Sequence, residues 1–305
     1  MAAERYAGQV QLLVRTIPEI AREAMFALKG GTAINLFVRD LPRLSVDIDL
    51  VYLPVADRET SLGAVRAGLG RIADRLEKKL GFSVARNLLP DGKRLLVSAD
   101  GSSIKIEVSP VLRGTVFEPE LRTVTRGVEE QFGFAEMNVV SLPDLYAGKI
   151  AAALDRQHPR DLFDVHYLYA NEGLSDELFR AFLVYLVSHP RPAHEILCPH
   201  RLDIGDQYDA EFRGMTVEDV PLQQLLDTRE QLINDIHERA RTKAAHSFLT
   251  SFHSLAPEWA SIGFGTSIGD LPAVRWKLFN LQRLQTENRA KFDEQLAKLS
   301  DCLGA

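Results

Sequence analysis

The segment Ser45-Val46-Asp47-Ile48-Asp49-Leu50-Val51 constrains the chain more than any other, because its polar and apolar residues alternate with period two. A strand so patterned turns Ile48 and Leu50 to a core and leaves Ser45, Asp47 and Asp49 side by side on the opposite face. It therefore demands a sheet with one covered face. Three more strand-like runs follow, Phe82 to Leu89, Arg94 to Ala99 and Ser103 to Ser109, with Asp91-Gly92 and Asp100-Gly101 between them as hairpin signals.

Helical signals surround these strands. From Thr16 to Leu28 apolar residues recur at three- and four-residue steps, which predicts an opening helix with Pro18 in its first turn, ending in a short strand. Gly30-Gly31 then makes a tight turn that feeds another helix. A long helix spans about Asp57 to Leu80. Beyond residue 135 helical patterns dominate, with a long connection from Arg191 to Met215 and an amphipathic helix near Gln282 to Leu303. The fold expected is α+β: a mixed-sheet domain over residues 1–135, then an all-helical domain over 136–305.

Composition sets broad limits. With 305 residues, 46% hydrophobic and 26% charged, the chain has enough apolar material for two cores. No run approaches the roughly 18 to 20 apolar residues that span a bilayer, and a net charge of −6 argues against indiscriminate coating of nucleic acid. Cys198 and Cys302 show no paired spacing of the kind that marks a zinc site or a disulfide framework, so a reducing cytoplasm is the expected compartment. His158, His166, His194, His200 and His253 also lack metal-ligand spacing and read as structural or surface residues.

The chemistry concentrates on acidic residues. Alternation in Ile104-Lys105-Ile106-Glu107-Val108 puts Glu107 on the polar face of its strand. If that strand neighbours the one carrying Asp47 and Asp49, three carboxylates converge. They then need either a divalent cation among them or a retained carboxyl proton. Magnesium with the triphosphate of an NTP fits such a cluster, and a glycine turn lets backbone N–H groups approach the phosphates. Taken singly, each feature also has an ordinary reading as a turn or a solvated edge.

Two features of the helical half stand out. Ser141-Leu142-Pro143-Asp144 starts a helix whose apolar stripe of Leu142, Leu145, Tyr146 and Ala153 contains Lys149. Its ammonium either snorkels to water or serves a phosphate, the acceptor or a proton transfer. Pro159-Arg160-Asp161-Leu162-Phe163-Asp164 opens the next helix, where Arg160, Asp161 and Asp164 share a flank. An Arg160 to Asp164 pair is the simple account of that spacing.

Lys29-Gly30-Gly31-Thr32-Ala33, Ser45-Val46-Asp47-Ile48-Asp49 and Ile106-Glu107-Val108-Ser109 resemble the signature of the AbiEii/AbiGii family, nucleotidyltransferase-fold toxins of toxin–antitoxin and phage-abortive systems. The resemblance runs over roughly residues 25 to 170 and takes in Lys149 and the Arg160-Asp161 to Asp164 segment. It implies catalytic roles for Ser45, Asp47, Lys149 and Asp164, with Arg160 and Asp161 secondary. It implies nucleotide binding by Gly30, Gly31, Thr32, Ser45 and Lys149, and Mg2+ or Mn2+ held by Asp47, Asp49 and Glu107. Gly31 stands where many nucleotidyltransferases have serine, and Thr32 offers a substitute hydroxyl. The loop Val38 to Leu44 stays unassigned, and its Arg39 and Arg43 either meet a triphosphate or are solvated.

The same resemblance implies that nucleotides pass from NTP to the 3′ end of tRNA, halting translation until a cognate antitoxin intervenes. Arg71, Arg75, Lys78 and Lys79, and Arg239, Arg241 and Lys243, are basic candidates for an RNA surface, though for any one of them a solvated face is the simpler reading. A protein hydroxyl, a small molecule such as an aminoglycoside, and a non-catalytic nucleotide-binding module are the alternatives.

Overall fold

The computed structural model describes residues 2–87 and 94–304. They form two compact units: Met1–Ser141 with Met215–Glu218, and Leu142–Gly214 with Asp219–Ala305. The first unit is built on seven strands, β1 (Phe26–Lys29), β2 (Asp47–Tyr52), β3 (Ser83–Asn87), β4 (Arg94–Ala99), β5 (Ser102–Arg113), β6 (Glu120–Thr123) and β7 (Glu136–Val139). Their order across the sheet is β3-β4-β5-β2-β1-β7-β6. β2 runs parallel to β5 and β1 parallel to β7, while the other neighbours are antiparallel, so the sheet is mixed as expected.

Ile48 and Leu50 are fully buried, as the alternation requires, and each contributes roughly 1.5–3 kcal/mol by leaving water. The helices α1 (Ala2–Ala21) and α3 (Arg58–Leu80) touch each other and pack on the sheet, α1 against β5 and β7, α3 against β3 and β4. Helix α1 starts well before Thr16 and runs through Pro18, which therefore lies near its C-terminal end and not in a first turn. Burial of Val10, Leu13, Val14, Ile17 and Ile20 outweighs the one backbone N–H that Pro18 lacks. α3 has Asp57 as its N-cap, accepting from the Thr60 N–H, and ends on Gly81 in the left-handed region.

Between β4 and β5, Asp100 and Gly101 both have positive φ, 52° and 75°, the geometry of a two-residue type I′ hairpin. The Asp91-Gly92 turn lies outside the described residues. Helix α2 (Gly30–Ala33) continues into a π-helical turn, Ile34–Val38, and α4 (Arg126–Phe132) precedes β7.

The second unit carries α5 (Leu142–Arg156), α6 (Pro159–Asn171), α7 (Asp176–Ser188), α8 (Ala193–Leu197), α9 (Gly205–Glu211), α10 (Leu222–Ala240), α11 (Lys243–His253), α12 (Pro272–Glu287) and α13 (Arg289–Leu303), and among its described residues there is no strand. α5 packs on α6 and α7, and Phe163, Phe182, Phe248 and Phe252 fill the interior. The stretch from Arg191 to Met215 is not a bare connection, since α8 and α9 punctuate it. The helical run near the C-terminus is two helices, because Asn288 breaks it and caps α13 through the Lys291 N–H.

Cys198 and Cys302, 104 residues apart, form a disulfide, which corrects the expectation of unpaired thiols. Only the packing of α13 against α8 brings them together, so sequence spacing carried no sign of it. Among the described residues no helix is long and apolar enough to cross a membrane.

Candidate active site

In the parallel pair of β2 and β5, Asp47 lies opposite Lys105 and Asp49 opposite Glu107, so all four side chains share the face away from the buried Ile48 and Leu50. The carboxylates are neighbours, and a cation sits among them. The Lys105 ammonium is 3.7 Å from Asp47 and 3.2 Å from Glu107, while Arg94 from β4 reaches Glu107 at 3.1 Å. Burial would push the Glu107 carboxyl up, but Arg94 and Lys105 outweigh it and hold the group below its usual range. Lys105 lies two residues from Glu107 in the same alternating run, so the pattern that singled out Glu107 also marked Lys105.

The glycine turn meets this face closely. Gly30 pairs next to the Lys29–Asp49 rung and has a φ of 75°; a Cβ there would lie 2.8 Å from Asp49 Oδ2. A Cβ on Gly31 would lie 2.8 Å from Arg43 Nη2 and 2.9 Å from Ser45 Oγ. Both glycines thus keep side-chain volume out of a cradle formed by a carboxylate, a guanidinium and a hydroxyl. Gly30→Ala is expected to lose about 1–2 kcal/mol of stability from the left-handed backbone alone and to displace Asp49. Thermal unfolding and nucleotide binding measured side by side will show a larger relative loss in binding.

Ser45 and Thr32 hold the cradle's floor. The Thr32 hydroxyl donates to the Asp47 carbonyl, so in the 3.0 Å contact with Ser45 Oγ it is Ser45 that donates. Thr32 is fully buried with its proton committed. It fixes the β2 backbone at Asp47. Asn35 ties the turn from the other side, donating to the Gly31 carbonyl at 2.8 Å. Arg43, unassigned by sequence, is buried here and anchored by its own donation to the Leu44 carbonyl.

The donor set suits a hard divalent cation. Asp47 and Asp49 offer carboxylate oxygens next to a cleared backbone turn, the ligand type that magnesium and manganese take. Glu107 would join them by exchanging Lys105 or Arg94 for the ion.

A second cluster forms inside the helical unit. Lys149 on α5 is buried, with its ammonium 2.8 Å from Asp161 and 3.0 Å from Asp164 of α6. Arg156 adds a 2.6 Å contact to Asp161. Burial alone would raise the Asp161 carboxyl, yet Lys149 and Arg156 overcome it and keep it far below the usual carboxylate range. The two adjacent carboxylates favour the ammonium form of Lys149. Neither a snorkelling Lys149 nor an Arg160 to Asp164 pair is what the geometry shows. Arg160 instead approaches Glu211 at 3.8 Å, and His158 caps α6 while contacting Glu211 at 3.1 Å.

Most of the basic residues considered for RNA have acidic partners. Arg71 and Arg75 converge on Glu23 at 2.6 and 2.8 Å, Lys79 meets Glu19, Lys78 meets Asp74, and Arg239 meets Asp176.

The sequence pattern of the family described as nucleotidyl transferase AbiEii toxin, type IV TA system, matches residues 11–280. The chain belongs to the AbiEii family of nucleotidyltransferase toxins. Among solved structures it is similar to MenT4, a nucleotidyltransferase toxin from Mycobacterium tuberculosis H37Rv, with a TM-score of 0.61 and 15% identity over 90% of this chain and 93% of that one. At that identity the likeness speaks for a shared fold. A search of curated proteins finds no match. As an AbiEii member the chain is a nucleotidyltransferase toxin of a type IV toxin–antitoxin system, with NTP as substrate and an antitoxin as counterpart.

Proposed function

We propose that this toxin transfers a nucleotide from NTP to the 3′ end of tRNA in the cytoplasm, arresting growth or a phage infection by disabling translation. The observation that carries the reading is the carboxylate face of β2, where Asp47 and Asp49 share one side of the strand and Asp49 lies directly against Gly30. Gly30 and Gly31 admit the triphosphate, with Ser45 and Arg43 as its polar contacts. Asp47 and Asp49, joined by Glu107, would hold Mg2+ or Mn2+, which supplies charge neutralisation on the phosphate oxygens when bound.

In the reaction the acceptor hydroxyl oxygen forms a bond to the α-phosphorus, and the bond from that phosphorus to the bridging oxygen breaks, releasing pyrophosphate. The hydroxyl proton leaves to solvent or to a carboxylate of the β2 face. Lys105 adds fixed positive charge close to those carboxylates, and Arg43 adds it beside Gly31. Lys149 and Asp164, with Asp161 and Arg160 secondary, are the residues of the helical unit that this reading assigns to the transfer. Most of the rate comes from positioning and electrostatics, since no covalent intermediate on the protein is required.

The test is incubation of the full chain with magnesium, each α-labelled NTP and total tRNA, followed on a denaturing gel. Label on tRNA with at least one NTP is expected. Label that appears only in protein or small-molecule pools would move the acceptor there and overturn the tRNA reading.

A further inference from the structure

The disulfide has a third partner. His237, on α10, places its Nε2 3.6 Å from Cys198 Sγ and 4.0 Å from Cys302 Sγ. Among the described residues these three form a group with ligand atoms all within 4.8 Å of one another. Each comes from a different part of the helical unit: Cys198 from the C-terminal end of α8, His237 from α10, and Cys302 from the last turn of α13. Cys302 also lies beyond residue 280, where the family match ends, so the cluster is not part of the pattern that defines the family.

The separations fit coordination as well as covalent pairing. With a zinc–sulfur distance of about 2.3 Å and zinc–nitrogen of about 2.0–2.1 Å, a tetrahedral site has a sulfur-to-nitrogen edge of about 3.6 Å and a sulfur-to-sulfur edge of about 3.8 Å. His237 Nε2 already stands near that edge from both sulfurs. Across a Cα–Cα separation of 6.4 Å, the reduced Cys198 and Cys302 side chains can reach one ion. Two thiolates and an imidazole form a soft donor set of the zinc type, and the exposed Cys198 side leaves a fourth position to water.

We propose that the reduced chain binds one zinc-class divalent ion through Cys198 Sγ, Cys302 Sγ and His237 Nε2, and that the disulfide is the alternative, metal-free state of the same site. In the disulfide state His237 Nε2–H donates to the Cys302 carbonyl at 2.5 Å. A trialkylphosphine and water convert the disulfide to two thiols and the phosphine oxide. Metal entry then releases the two thiol protons, while the imidazole proton moves to Nδ1 and Nε2 becomes a ligand. Either state fastens α13 to α8 and α10, so the C-terminal helix stays docked whether the cysteines are oxidised or metallated.

Cobalt(II) is the probe. Full-length protein reduced with phosphine, then freed of it, is expected to bind one equivalent of Co(II), giving thiolate-to-cobalt absorption that one equivalent of Zn(II) abolishes. Oxidised protein should give none of that absorption. Cys198→Ser, at an exposed position, should abolish it with the far-ultraviolet circular dichroism unchanged. His237→Ala should weaken binding at least tenfold and alter the visible ligand-field bands. Absence of the thiolate band in reduced wild type, its persistence after oxidation, or identical bands and affinity in His237→Ala would each overturn the proposal.

Discussion

Asp47→Ala will reduce nucleotide transfer by at least about a hundredfold while leaving the chain folded. Its carboxylate lies on the open face of β2, 46% exposed, and pairs with Lys105 at 3.7 Å. An exposed pair of that length is worth at most about 1 kcal/mol, and Lys105 keeps Glu107 at 3.2 Å after the change. Stability therefore moves little. Transfer, in contrast, loses a charge on the same face of β2 as Asp49, where the cation of the triphosphate is proposed to sit. Asp47→Asn keeps the shape and removes only the charge, so it should lose nearly as much. The measurement is initial-rate transfer from α-labelled NTP under saturating magnesium, with thermal unfolding in parallel. Transfer within tenfold of wild type in both variants would sink the assignment of Asp47 to the reacting centre.

Much of this face was legible in the sequence, because period-two alternation is a local property that dictates which side chains stand together. The two carboxylates and Glu107 came from that logic, the glycine turn came from the Gly30-Gly31 pair itself, and β2 and β5 are neighbours. What alternation did not announce was sign. Lys105 obeys the same rule as Glu107, and only the register of β2 on β5 shows that its charge balances the acids of the face. Arg43 was hidden for a different reason: a loop residue has no periodicity, and only the fold brings its guanidinium over Gly31. Thr32 shows the converse, a hydroxyl in a suggestive position whose proton is consumed by a backbone carbonyl. The Cys198–His237–Cys302 group was beyond reach, because its members are 39 and 65 residues apart and meet only through helix packing.

Lys149→Met should have the largest effect on stability of any single change in the helical unit. The substitution conserves volume but strips the cation shared by Asp161 and Asp164, both essentially inaccessible to solvent. Removing one partner from a buried ion cluster costs about 3–5 kcal/mol, which for a unit of this size lowers its unfolding temperature by about 10 °C. The pH dependence follows from Asp161. Its folded pKa is depressed below the unfolded value of about 3.9, so its contribution is complete above that value and is lost as pH falls through the folded one. Without Lys149 the depression shrinks, and acid unfolding should begin at higher pH than in wild type. A rescue separates packing from chemistry. Adding Asp161→Asn and Asp164→Asn to Lys149→Met neutralises the stranded charges and should return much of the lost stability. If transfer returns with it, the cluster serves only to hold α5 on α6. Recovered unfolding temperature with transfer still absent is the expected result, and it would assign Lys149 and Asp164 to the reaction itself.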